Sequence, residues 1–253
     1  MVSDRARVLG VAVHRLTLDQ TVQRCADLIE LRQCATHLSV NAAKIVAIRR
    51  DPRMGRFAAC STLVSADGQS VVWASRLLGD PLPERVAGID LMRRLVAVAE
   101  DRGYGVFVLG ARADTLAAAE HVLLAEHPRL RLVGSHHGYF ADAESRRVAE
   151  QIRSAAPDLL FVAMSSPRKE YWLDEQASGL GVPLSMGVGG AVDVLAGTIR
   201  RAPTIMQRAG LEWLFRLAQE PRRLFKRYAV TNSTFVILLV RELASRRFSR
   251  EIA

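Results

Sequence analysis

Four groups of residues in this chain have the types and spacing that chemistry needs. Asp67 lies in SADG, directly after the apolar run Thr62–Ala66, so a carboxylate is delivered at the end of a predicted strand. Ser39 and Asn41 stand together at the end of another, Thr36–Val40. A carboxylate, a hydroxyl and an amide at strand ends can bind a sugar and take the proton from its hydroxyl. The same residues also make ordinary Asp-Gly turns and helix caps. A third group, Gly187, Gly189 and Gly190, follows the apolar segment Pro183–Met186, with Asp193 within one helical turn. Such glycines let backbone N–H groups approach an anion closely, which suits a nucleotide diphosphate. The fourth group is a basic tail that includes Arg216, Arg223, Lys226 and Arg227.

Other patterns are narrower. VFVLGAR places Gly110 between a predicted strand and a predicted helix, where it either seats a phosphate or makes a tight turn. Neither this segment nor GVGGAV is the GxGxxG dinucleotide fingerprint, and no GxxxxGK[ST] occurs. MSSPRKEYW predicts a helix capped by Ser166, with Pro167 at its first position. Arg168, Lys169 and Glu170 then fall in the first turn, where cations point to an anionic ligand, an ion pair or a solvated face. The six histidines show no HExxH, and the chain has no paired Cys/His spacing and no DxD. The expectation is no metal and no cofactor, so a diphosphate would be met by Arg, Lys and backbone N–H groups.

The elements that must position these residues alternate. Arg7–Val13 reads as a strand, followed by a helix that Thr17 caps. After the strands ending at Asn41 and Asp67, the second half runs strand and helix more regularly. Strands are expected at 105–109, 130–134, 158–163 and up to Gly187. The rhythm predicts an α/β fold, Rossmann-like, with a mostly parallel sheet and helices on both faces. Ligands bind at the C-terminal strand ends of such sheets, where the candidate residues fall. In the tail, Arg208, Glu212 and Arg216 at i, i+4 and i+8 predict one helical face.

Charge divides the chain. Of a net charge of +9, residues 200–253 hold +8, leaving a nearly neutral body at 1–199. The expected organisation is an α/β core at 1–199 and a basic helical appendage at 200–253. Basic and aromatic residues interleave in that appendage, as on a helix lying at an anionic membrane surface. The apolar run Phe235–Val240 is far short of the ~20 residues that span a bilayer. Cys25, Cys34 and Cys60 lack CxxC spacing and read as reduced thiols of a cytoplasmic protein, and the N-terminus does not read as a signal peptide.

Several segments, in this order, resemble the WecG/TagA/CpsF family of bacterial glycosyltransferases. They are SVNAAKIV (39–46), SADG (65–68), PERVAGIDL (83–91), VFVLGA (106–111), GYF (138–140), PDLLFVAMSSPRKEYW (157–172) and GVGGAVDVLAG through EPRR (187–223). The resemblance implies transfer of a sugar from a UDP-sugar to a polyprenyl-diphosphate-linked sugar, with inversion and without a metal. The place would be the cytoplasmic face of the bacterial plasma membrane, in exopolysaccharide or wall-polymer assembly. It implies Asp67 as general base, Asn41 in the sugar pocket, and Ser39 where many members carry Thr. Tyr139, Gly187, Gly189, Gly190 and Asp193 would hold the uridine diphosphate. Arg216, Arg223 and Arg227 or Lys226 would bind diphosphates. SSPRKE stands where many members have Gly-x-Pro-Lys/Arg-Gln-Glu, which leaves the sugar (N-acetylmannosamine, glucose or another) open.

The expected partners are thus a UDP-sugar, a polyprenyl-diphosphate-linked acceptor and an anionic membrane surface, without nucleic acid. A homo-oligomer is compatible with the sequence. Two rival readings are another sugar-nucleotide enzyme, such as an epimerase or dehydrogenase, and a nucleic-acid-binding module using the tail. The first lacks GxGxxG, and the second demands steep salt dependence and no affinity for UDP.

Overall fold

The alternation of short apolar runs with amphipathic ones builds a parallel sheet between two helical layers. The computed structural model describes the backbone of residues 4–251 and the side chains within it, except those of Arg208, Arg223 and residues 247–251. The chain runs through β1 (Arg5–Val8), β2 (Val11–His14), α1 (Leu18–Glu30), β3 (Ala35–Val40), α2 (Ala42–Arg50), α3 (Pro52–Cys60), β4 (Leu63–Ala66) and α4 (Gln69–Leu77). It continues through α5 (Gly88–Arg102), β5 (Gly105–Gly110), α6 (Ala113–Glu126), β6 (Arg131–His136), α7 (Ser145–Ala155), β7 (Leu159–Ala163), α8 (Arg168–Leu180) and β8 (Leu184–Gly187). After the short α9 (Ala191–Leu195) come α10 (Thr204–Arg208), α11 (Glu212–Gln219) and α12 (Pro221–Glu251).

Six strands form the main sheet in the order β4-β3-β8-β7-β5-β6, every neighbouring pair parallel. A parallel sheet covered on both faces needs strands that are apolar throughout. All residues of β4, β5 and β7 are buried accordingly. One apolar layer gathers Leu38, Val40, Val71, Leu160 and Trp172, and the other gathers Leu28, Leu95, Val108, Phe161 and Met186. Because β8 inserts between β3 and β7, the loops after β3, β4, β7 and β8 converge on one rim. Such a reversal of strand order opens a crevice where ligands bind.

Local chemistry sets the boundaries. Thr17 caps α1 in a capping box with Gln20, and Asn41 caps α2 through Lys44 N–H at 3.0 Å. The expected single strand over Arg7–Val13 is a hairpin, because Leu9 (φ 51°) and Gly10 (φ 86°) reverse the chain between β1 and β2. Ser166 does not cap α8: its bond to Pro167 is cis, and no side chain caps that helix. The continuous face expected from Arg208 to Arg216 is interrupted, since α10 and α11 are separate helices joined at Gly210. Gly210 fits because a β-carbon there would stand 2.8 Å from the Trp73 ring.

The residues after 199 behave in two ways. The C-terminal half of α12 lies along α2 and buries Phe235 (4% exposed) in the core, with Leu238, Leu239 and Leu243 packed against it. Arg50 donates to Thr234 Oγ1 at 3.1 Å and Arg246 to the Leu78 carbonyl at 2.6 Å. Earlier, Ile205, Trp213, Leu214 and Phe225 remain exposed. No helix among the described residues is long and apolar enough to cross a membrane.

Candidate active site

The strand ends on this rim carry two unlike walls of sequence-derived residues. The first wall comes from β3, β4 and the loop before α5. Asp67 leaves the end of β4 with its N–H on the Val40 carbonyl at 2.8 Å, which ties it to β3. Its Oδ1 accepts the Gly88 N–H at 3.1 Å. A β-carbon on Gly68 would meet Asn41 Cβ at 3.1 Å, and one on Gly88 would lie 3.6 Å from Ser39 Oγ. Ser39, Asn41 and Asp67 are therefore neighbours. Ser39 Oγ is buried and has no hydrogen-bond partner among the described residues. Burial raises the Asp67 pKa above the usual carboxylate value; the Gly88 N–H and the charges of Arg85 and Lys44 oppose it, while Glu212 adds to it.

The second wall comes from β7, β8 and the tail, and its glycines make room for cations. A β-carbon on Gly187 would stand 3.1 Å from Lys169 Cε. One on Gly190 would stand 2.9 Å from Arg216 Nη2 and 3.4 Å from Asp193 Oδ2. Arg216 and Asp193 thus both border the glycine turn, with Arg216 Nε buried and without a hydrogen-bond partner among the described residues. Below them Lys44 Nζ and Lys169 Nζ share Glu170 Oε1 at 3.0 and 2.8 Å. Burial pushes Glu170 up, but the two ammoniums outweigh it and hold its pKa at about 2. Burial, reinforced by Lys44, brings Lys169 down to about 8.

Gly110 (φ 135°) ends β5 hard against β7, where a β-carbon would fall 2.4 Å from the Ala163 carbonyl carbon. No other residue fits there. The loop carrying Tyr139 packs on this point, since a β-carbon on Gly138 would be 2.9 Å from Gly110 Cα. Tyr139 itself is 72% exposed at the rim. Arg168, whose position suggested an anion ligand or an ion pair, secures this loop by donating to the Gly138 and Phe140 carbonyls.

The tail closes the cleft through specific contacts. Arg85 pairs with Glu212 at 2.8 Å, and Arg201 grips Asp90 through both nitrogens at 2.7 and 2.6 Å. Gln219 holds both the N–H and the carbonyl of Arg200 at 3.0 Å. Arg227 lies near enough to Lys169 to lower its pKa. Lys226 is exposed on α12. The Arg223 side chain lies outside the described residues. Lys44 and Arg85 were not singled out from sequence, and Arg201 was read only as part of the basic tail. Their signal was position: Lys44 lies one turn after Asn41, and Arg85 lies within the segment that supplies Gly88. Among the described residues no group of three or more His, Cys, Asp or Glu side chains is arranged to hold a metal ion.

Comparison with known proteins gives the family. The model of the glycosyl transferase WecG/TagA/CpsF family matches residues 6–249. The chain belongs to that family. Among WecG/TagA/CpsF relatives, a protein of Staphylococcus aureus (strain MW2) is 35% identical over 164 residues, 65% of this chain and 64% of its own length. One of Bacillus subtilis (strain 168) is 33% identical over 178 residues, 70% of this chain and 69% of its own length. Both are named N-acetylglucosaminyldiphosphoundecaprenol N-acetyl-beta-D-mannosaminyltransferase. The chain thus spans about two thirds of the length of each relative.

Proposed function

We propose that this protein transfers a sugar, N-acetylmannosamine or a related hexose, from a UDP-sugar to a polyprenyl-diphosphate-linked sugar, with inversion and without a metal. The observation that carries the reading is the cleft's opposition of walls. A proton acceptor with a free hydroxyl stands on one side, and a cation-lined glycine turn stands on the other. The relatives' names supply the acceptor class and the sugar.

The chemistry follows from that opposition. An acceptor hydroxyl at the first wall loses its proton to Asp67 as its oxygen bonds to the anomeric carbon. The bond from that carbon to the UDP oxygen breaks on the opposite face, which inverts the centre. Negative charge builds on the leaving diphosphate, where Arg216 and the neighbouring cations stabilise it. Ser39 Oγ and Asn41 hold the reacting sugars against Asp67. Gly110, Tyr139 and Asp193 border the nucleotide end. Arg223, Lys226 and Arg227 serve the acceptor's diphosphate. The exposed Ile205, Trp213, Leu214 and Phe225 among these cations support docking on the anionic inner face of the plasma membrane.

Calorimetric titration of the full chain with UDP, alongside transfer from UDP-N-acetylmannosamine to a short-chain prenyl-diphosphate N-acetylglucosamine, tests the reading. Saturable UDP binding with transfer of some UDP-hexose is expected. Absence of both binding and transfer would overturn it.

A further inference from the structure

Lys169 is a buried cation that its own partners leave unbalanced. Its residue is 5% exposed, and its stem lies beneath Gly187, whose missing β-carbon makes the space. Its ammonium meets Glu170 Oε1 at 2.8 Å, but that oxygen also receives Lys44 Nζ at 3.0 Å. Two ammoniums therefore divide one carboxylate. From α12, the Arg227 guanidinium adds positive charge facing Lys169. A second acid, Asp193, lies over the same turn beside Arg216, its Oδ2 3.4 Å from where a Gly190 β-carbon would stand. Lys44, Lys169, Arg216 and Arg227 thus stand against Glu170 and Asp193 around the glycine turn, an excess of positive charge. A charge removed from water in this way needs an opposite charge beside it.

We infer that Lys169 is a diphosphate-binding residue, its ammonium taking a phosphate oxygen where the chain passes over Gly187. This deepens the proposed function and rests on it. The phosphate belongs to the nucleotide donor if it lies on the turn itself, or to the lipid acceptor if it enters beside Arg227. The shared chemistry is the same: an ammonium, braced by Glu170, that completes an anion's coordination. Glu170 orients the ammonium and stays ionised, because its pKa is held at about 2.

The ammonium's protonation gives the test its signature. The Lys169 pKa is lowered to about 8, so the charged form dominates at neutral pH and is lost as pH rises through that value. The diphosphate of UDP does not titrate there, since a terminal phosphate has its second pKa at about 6, and the ionisation of the uracil N3–H that begins toward pH 9 is common to UDP and the uridine control and absent from farnesyl diphosphate. Affinity for the bound diphosphate should therefore weaken up to about tenfold between pH 7 and 9, if only the protonated form binds. Glu170 keeps its charge over this interval.

The experiment titrates the full chain with UDP, uridine and farnesyl diphosphate at pH 7 and pH 9, comparing wild type with Lys169→Gln and Lys169→Arg. Melting curves at both pH values select folded samples, and the wild-type pH dependence stands without any variant. Expected is a wild-type loss of diphosphate affinity at pH 9 that exceeds any loss for uridine. Lys169→Gln should bind weakly at both pH values, and Lys169→Arg should retain affinity at pH 9. Loss for UDP places the phosphate in the donor, and loss for farnesyl diphosphate alone places it in the acceptor; either supports the inference. If folded Lys169→Gln binds both diphosphates as wild type does, or wild-type affinity is flat from pH 7 to 9, the inference is overturned while the proposed function stands. If wild type binds neither diphosphate, both fall.

Discussion

The two walls of the cleft are made of different materials. The wall around Asp67 is built from short side chains and backbone: Gly88 N–H on Oδ1, Asn41 against Gly68, and Ser39 Oγ beside Gly88. The other wall is built from long cations packed against glycines, Lys169 against Gly187 and Arg216 against Gly190. Short groups on strand ends have little rotamer freedom to lose and hold a proton acceptor at fixed geometry. Long cations reach from separate elements and follow charge. The difference suggests that one wall performs the proton transfer and the other binds and stabilises the leaving group.

Removing residues 200–253 should have the largest effect, because it dismantles the cation wall and part of the core together. Arg216 would go, and so would Phe235 of α12, which packs into the core and whose loss alone costs about 3–5 kcal/mol. We expect the melting temperature to fall by roughly 10 °C or more, with transfer reduced to background. A truncated protein that melts like wild type would show that α12 contributes no core.

Arg216→Ala should break the second wall without touching the first. Hydrogen bonds to charged groups are worth about 1.5–3 kcal/mol, so turnover on a short-chain acceptor should drop roughly 10- to 150-fold. The short acceptor removes the benefit of membrane docking. Full activity there would leave Arg216 with no part in the reaction. The smallest effect should come from chelation. If the cation wall alone meets the diphosphate, excess EDTA should leave transfer unchanged. Loss of activity that Mg²⁺ or Mn²⁺ restores would show that the wall is insufficient.

The same contrast explains what was legible in the sequence. Asp67, Ser39 and Asn41 could be found because a polar residue after an apolar run marks a strand end, and a parallel sheet brings strand ends together. The sheet itself followed from the alternation of elements. The hairpin at Leu9 and Gly10 escaped because one apolar run carried both strands, with only a turn conformation to separate them. Lys44, Lys169 and Arg85 were harder to place, since a lysine or arginine in sequence usually marks a solvated face. Their burial depends on partners far along the chain: Glu170 for Lys44, and Glu212 for Arg85. Likewise, Phe235 reads in sequence as part of a basic tail, whereas α12 lies along α2 and packs it into the core.

The account stands most directly on Asp67 as the proton acceptor. Asp67→Asn keeps the shape of the first wall and removes its basicity. Turnover and UDP affinity should be measured on the same folded sample, across acidic and neutral pH. UDP binding should be retained, since the second wall is intact, while turnover falls about 10²–10⁴-fold. In the wild type, kcat/KM should decline on acidification as Asp67 protonates, above the usual carboxylate range because burial raises its pKa. The variant should lose that limb. Wild-type turnover in Asp67→Asn, or an equal loss of UDP binding and turnover, would contradict the division of labour between the walls.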